Sequence, residues 1–335
     1  MKRKTWLAGW VIVLAALGCR ASEAVDVGRT PAETVSPATA PLPPAEALAE
    51  PPTPPDAPPA PSSAAAPPAK VDRASYAWLG EVAEPMPELA PLASRFAPPQ
   101  GYRRVEVADG SYGAWLRGLP LRLDRKTVHA FDGRELRSPA AAIVFMDVGD
   151  RDLQQCADSA IRLHAEYRWH VGQGDKVSYH FTSGDVSSWK GWRSGERFVI
   201  AGNAVKKVNG PGRKADHATF RDYLSHLFRY AGTQSLRLDS DAVPPGKPLA
   251  GGDFFVSPGA PGHAIVVLDV AENATGEQVA LMGQGYMPAQ EFHVLADRGE
   301  HVLDGVWFKL PAGADGALSN PSWQDFPRSA ARRFR

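Results

Sequence analysis

LQQCADSAIRLHAEYRW, residues 153–169, is the stretch that decides the fold. Leu153, Cys156, Ala157, Ala160, Ile161 and His164 recur at the spacing of one helix face, and Asp150 or Asp152 stands in place to cap it. Just upstream, AAIVFMDV (141–148) is short and apolar and runs into the polar turn Gly149-Asp150-Arg151-Asp152, which reads as a buried strand. Cys156 is therefore expected in the first or second turn of a helix entered directly from a strand.

Working outward, YGAWLRGLPL (112–121) predicts a short helix stopped by Gly118 and Pro120. Residues 179–200 alternate around Trp189 and Trp192 and predict hairpins, and TFRDYLSHLFRYAG (219–232) predicts a second amphipathic helix. Strands are expected at 253–256, 263–270 (HAIVVLDV), 278–282 and, past the turn Met287-Pro288, 291–295. A main helix first and antiparallel strands last is an α+β arrangement.

The N-terminus has a different composition. Lys2, Arg3 and Lys4 precede an apolar run from Trp6 to Leu17, shorter than the roughly 20 residues a membrane-spanning helix needs, so residues 1–18 read as a signal peptide. The run ends in Ala16-Leu17-Gly18-Cys19, which resembles a lipobox, although Ala16 stands where such boxes usually carry Leu. The resemblance implies cleavage before Cys19 and a diacylglycerol on its sulfur. Arg20, rather than Asp, follows, which points to the outer membrane, facing the periplasm. Residues 19–71 are then a Pro/Ala-rich linker without aromatics through its proline tracts, unable to bury enough surface to offset its entropy. In polyproline II form, about fifty such residues reach on the order of 150 Å. Residues 72–335 are left for a single α+β domain.

Thirty-seven basic and thirty-seven acidic residues balance, so no field for nucleic acid and no polybasic membrane patch is present, and a membrane is expected to be met through the lipid alone. Zinc motifs, a Gly-x-Ser-x-Gly elbow and a phosphate loop are missing, and neither a metal nor a cofactor is expected. Of two cysteines, Cys19 is assigned to lipid, leaving Cys156 unpaired in an oxidising compartment. A thiol near a helix N-terminus gains from the dipole and free N–H groups, which can lower its pKa from about 8.5 into the range of roughly 3.5 to 7.5. His263 opens a strand and Gln284 closes the next one, where its amide can fix an imidazole tautomer. By spacing alone each residue also has a packing explanation: a core cysteine, a structural histidine, an uninformative glutamine.

The blocks GDRDLQQCADSAIRLHAEY, GDFFVSPGAPGHAIVVLDVAEN and LMGQGYMPAQEFHVL, with SYGAWLRGLPL and HAFDGRELR, resemble an uncharacterised bacterial family, domain of unknown function 4846, from about Tyr76 to Phe334. More distantly, GDFFV…GHAIVVLD is similar to NlpC-type cell-wall cysteine peptidases, which have a papain-like fold. That similarity implies a helix packed on an antiparallel sheet, with Cys156 starting the helix, His263 starting a strand and Gln284 as the polar third residue. Two departures stand out. The cysteine context is Gln155-Cys156-Ala157 instead of Asp-Cys-Ser, and about a hundred residues separate Cys156 from His263, so insertions must be carried.

The expectation is a thiol hydrolase in which Cys156 attacks an amide, His263 moves the proton and Gln284 orients the ring. The Cys156 N–H and Gln155 are candidates for the oxyanion site. Trp189, Trp192 and Tyr286 are candidates to line a cleft, with core packing the favoured role for each by composition. Compartment and resemblance suggest a peptide bond of peptidoglycan. The alternative is a non-catalytic papain-like scaffold that binds the wall or an envelope protein, with Cys156 as a packed hydrophobe.

Overall fold

The computed structural model describes residues 70–82, 85–201 and 204–335. The expected leader 1–18, the lipid site Cys19 and the linker as far as residue 69 lie outside the described residues. No helix among the described residues is long and apolar enough to cross a membrane.

The strand HAIVVLDV sits at the centre of a ten-stranded sheet. Seven strands make its main path: β1 (Ala140–Ile143), β2 (Ser240–Ala242), β3 (Phe254–Ser257), β4 (His263–Asn273), β5 (Gln278–Gln284), β6 (His293–Leu295) and β7 (Ala331–Phe334). In space they run β2-β7-β3-β4-β5-β6-β1, and every pairing is antiparallel. Three short strands complete it: Tyr102–Arg104 beside the far end of β4, Trp307–Lys309 beside β5, and Val302–Leu303 beyond that.

The unbroken apolar run of β4 follows from burial on both faces. Ala264, Val266 and Leu268 point into one core, and Ile265 and Val267 into a second on the opposite face. Each such side chain contributes about 1.5–3 kcal/mol on leaving water. The pairing with β5 shifts between Val267 and Asp269, and the alternation changes phase there: Val270 joins the second core and Ala271 the first. Asp269, at the shift, is buried between Arg104 (2.7 Å) and Arg117 (2.6 Å).

The main helix, α1 (Cys156–His170), packs on β4 through the first core. It starts three residues later than its pattern suggests, because Leu153 and Gln155 make tight turns back to Arg151 and Leu153 (both 2.8 Å). It is also buried on more than its apolar face. Arg162, fully buried, donates to Glu166 (2.6 Å), Asp147 (2.9 Å) and the side-chain oxygen of Gln154 (3.1 Å). His217, at the start of α2 (His217–Leu227), reaches Glu166 with Nε2 (2.8 Å). Paired charge lets a polar helix face go inside, as an apolar pattern alone does not reveal.

Elsewhere the expected strand 141–148 shortens to Ala140–Ile143, and the expected helix 112–121 ends at Arg117 before the strand Pro120–Arg122. The expected hairpin region contains strands at Ser178–His180, Val186–Ser188 and Glu196–Ala201, interrupted by a helical turn, Trp189–Arg193. Ser188 caps that turn by accepting from the Gly191 N–H (3.1 Å). A short helix, α3 (Thr233–Leu238), follows α2.

Candidate functional site

Cys156 is the first residue of α1. Gln155 caps the helix: its carbonyl accepts from Ser159 (2.9 Å), and its N–H donates to the Asp158 carboxyl (3.2 Å). The helix start is pressed closely onto the end of β5. A Cβ on Gly285 would come within 2.3 Å of Ser159 Oγ and 3.1 Å of the Gln155 carbonyl oxygen, so only glycine permits this approach.

His263 is the first residue of β4, opposite Ser257 of β3. The loop between the strands is tied to α3 through Thr233, whose hydroxyl contacts the backbone N–H and C=O of Gly259 (3.3 and 3.4 Å). Gly262 is walled in, with Thr233 Oγ1 at 2.5 Å from where a Cβ would stand. The Cys156 thiol points at the Gly262 carbonyl (3.9 Å), and the Ala264 N–H also faces the sulfur. The sulfur therefore lies beside the main chain on both sides of His263.

His263 Nε2 lies 2.8 Å from Gln284 Oε1 at the end of β5. Gln284 Nε2 reaches Ser322 Oγ (2.9 Å) and His293 Nε2 (3.4 Å), and His293 Nδ1 lies 3.0 Å from the Glu291 carbonyl. These contacts have a single direction. A backbone carbonyl only accepts, so His293 carries its proton on Nδ1 and offers a lone pair at Nε2. The Gln284 NH2 must face that lone pair, which turns Oε1 toward His263 and puts the His263 proton on Nε2. His263 Nδ1 is left as a bare lone pair, buried and without a hydrogen-bond partner.

Electrostatics set the resting state. Burial pushes the Cys156 thiol up to about 11, against the opposing pull of backbone N–H groups. Burial likewise pushes the His263 imidazole down to about 4, with the neighbouring His293 adding to it. The expected lowering of the thiol pKa is thus overturned: desolvation outweighs the helix N-terminus. Forming a thiolate–imidazolium pair across that gap costs on the order of 10 kcal/mol. A contact at ~4 Å in a medium of effective dielectric ~20 returns only about 4 kcal/mol. Thiol and imidazole are therefore both neutral at rest. Burial also holds the Asp158 carboxyl well above the usual carboxylate range.

A cover closes over the pair. Cys156 is 6% exposed and His263 is fully buried. The Tyr286 ring stands edge-on to His263 (4.9 Å between centroids), with Trp323 at 5.4 Å, and the Tyr286 hydroxyl donates to the Ser322 carbonyl (2.9 Å). Of the residues read from sequence, His263, Gln284 and Tyr286 meet here, with the Cys156 sulfur against the main chain that flanks His263. Gln155 adjoins them, but one of its amide hydrogens is spent on Asp152 (2.9 Å). Trp189 (1% exposed) and Trp192 (4%) are corrected from cleft candidates to core residues, packed on Tyr223 with Trp189 also against Phe220. The sequence reading missed His293, Ser322 and Trp323. His293 had a usable signal, a polar residue in the apolar run 292–295, directly opposite Gln284. Ser322 and Trp323 arrive on a loop from the far end of the chain, with no local pattern to mark them.

Among the described residues, no group of three or more His, Cys, Asp or Glu is placed to hold a metal ion. No curated protein and no solved structure matches the chain. A family model does match it over residues 92–333. The chain, with its sheet, its main helix and the Cys156–His263–Gln284 cluster inside the matched region, belongs to the family described as domain of unknown function (4846).

Proposed function

We propose that this protein is a thiol hydrolase of the NlpC/papain type, cleaving an amide bond in peptidoglycan peptides. The observation that carries the reading is the bare Nδ1 of His263: a neutral imidazole with its proton locked on the far nitrogen is a base with one open position, on the residue whose flanking main chain the Cys156 sulfur touches. Sulfur attacks the amide carbonyl carbon while its proton passes to Nδ1, forming the C–S bond. The imidazolium hydrogen then goes to the leaving nitrogen as the C–N bond breaks. Water, deprotonated by the same Nδ1, cleaves the thioester and returns the thiol. Because the resting pair is neutral, the proton moves with the attack rather than before it. The Cys156 N–H at the helix start is the oxyanion donor, joined by Gln155 once its amide turns from Asp152.

The compartment belongs to the same proposal: an exported chain held by lipid on Cys19 at the outer membrane, with the linker carrying the hydrolase toward the wall. The experiment is digestion of purified peptidoglycan fragments by the full chain, read as new amino termini. Cleavage by the native protein, reduced at least a thousandfold in Cys156→Ala, is expected.

A second reading has one observation in its favour, the burial of His263 and most of Cys156 under Tyr286 and Trp323. It makes the protein a non-catalytic papain-like scaffold that binds the wall or an envelope protein. Binding of the fragments without cleavage, unchanged in Cys156→Ala, would establish that reading instead.

A further inference from the structure

Along α1 from Cys156 lies a second polar site that the hydrolase reading does not use. A cavity of about 220 Å³ is lined by His164 and Arg168 of α1, by Lys176 and the strand Ser178–His180, and by Asp239, Phe334 and Arg335. At 1.5 Å per residue, His164 and Arg168 stand roughly 12 and 18 Å along the helix axis from Cys156.

Arg168 is the unusual residue. Every other buried or half-buried arginine among the described residues donates to a carboxylate or a carbonyl: Arg104, Arg117, Arg122, Arg125, Arg162, Arg193, Arg197, Arg221, Arg328, Arg332 and Arg333. The Arg168 side chain is half-buried and makes no ion pair or hydrogen bond with any described residue. The Lys176 side chain, on the same cavity, has none either. A half-buried guanidinium without a partner has lost part of its hydration with nothing returned, which an anion would offset.

The remaining lining does not neutralise these two cations. Asp239, the acidic side chain of the lining, is engaged by His180 through both the ring (2.5 Å) and the backbone N–H (3.0 Å). Arg335 is spent on Asp241 (2.9 Å) and the Leu238 carbonyl (2.7 Å). His164 is a neutral imidazole, pushed down to about 3 by burial and by Arg168. Its Nδ1 pairs with the Tyr179 hydroxyl (2.9 Å), and its Nε2 makes no bond with a described residue. Its ring stacks on Phe334 at 4.2 Å and 4°, giving the cavity a flat apolar side next to its cationic one.

We propose that this cavity is a binding site for a small oxyanion-bearing ligand, a carboxylate or phosphate gripped by Arg168 and Lys176, with the apolar part of the ligand against the His164–Phe334 stack. Guanidinium and ammonium together suit an oxyanion, bidentate on Arg168 and single-point on Lys176. The site is independent of the thiol and stands whether or not the protein hydrolyses anything.

The test is thermal unfolding of the full chain titrated with inorganic phosphate and, separately, with succinate, at ionic strength held constant with sodium chloride. A saturable rise in Tm with either probe is expected, and which of the two acts tells phosphate from carboxylate. Arg168→Gln and Lys176→Gln should each weaken the response at least about tenfold. Lys176 is exposed, so its variant serves if the Arg168 variant does not fold. No saturable rise with either probe, or the same saturation in folded variants, overturns the proposal.

Discussion

Gln284 works through the asymmetry of its amide: two hydrogens on one end, two lone pairs on the other. Turned over, it would present Oε1 to the His293 lone pair and its NH2 to His263 Nε2, moving the His263 proton to Nδ1 and closing the open position of the base. His293, 3.4 Å away and fixed by the Glu291 carbonyl, forbids that orientation. His293 is therefore a positioning residue, and its effect is read on another ring. In the native protein, imidazole 15N shifts should show His263 protonated at Nε2 and bare at Nδ1. His293→Leu should populate the opposite tautomer and lower cleavage by about a hundredfold. Adding Gln284→Glu, which accepts in either orientation, should restore the Nε2–H form. A native His263 protonated at Nδ1 would refute this direction of hydrogen bonding, whatever becomes of the variants. The meeting of His263 and Gln284 was legible because each marks the end of an apolar strand, and the place of Cys156 because it opens the main helix. The direction of their bonds was not, since it depends on a carbonyl two residues from His293 and on a serine from the far end of the chain.

At the scale of elements, two kinds of pattern behaved differently. HAIVVLDV was legible as a buried strand because both of its faces are covered, so its apolar run needs no alternation. The helix 156–170 was legible from its apolar face, but Arg162 and Glu166, which the same spacing assigns to solvent, lie inside. Burial of that ion pair depends on Asp147 and Gln154 from the connection before the helix and on His217 from α2, and no window within the helix holds that information. The hairpin expectation around Trp189 and Trp192 failed in part for a similar reason. Short strands and a capped helical turn share the same aromatic and β-branched composition, and Ser188 decided the matter by capping Gly191. Glycine was the quieter signal. Gly262 and Gly285 flank the site because a strand and a helix start approach too closely there for any side chain.

At the scale of the whole molecule, a set of buried imidazoles makes stability depend on acid. His226, His263 and His293 are held near 4 and His164 near 3, each by burial first, against an ordinary value of 6.5. Between pH 6.5 and 4 the unfolded chain binds protons at these sites and the folded chain does not, so stability falls as the pH falls. Asp158 and Asp239, raised by burial, act in the opposite sense, holding protons that the unfolded chain releases. Four such imidazoles outnumber the two carboxyls, so on balance stability falls as the pH falls through that window. Urea titrations at pH 6.5, 5 and 4 should show it, and a midpoint constant or rising toward pH 4 would contradict it. The same burial that silences these rings makes His263 a neutral base and Cys156 a protonated thiol, so the proposed chemistry depends on whether that closed pair carries an acyl group. The direct measurement is the mass of the Cys156 peptide after the native chain is mixed with peptidoglycan fragments and quenched in acid. An added acyl mass on Cys156 is expected, lost on raising the pH with hydroxylamine as a thioester is, together with a matching release of amine. Amine release with Cys156 unmodified throughout, or release undiminished in Cys156→Ala, would contradict a thiol hydrolase.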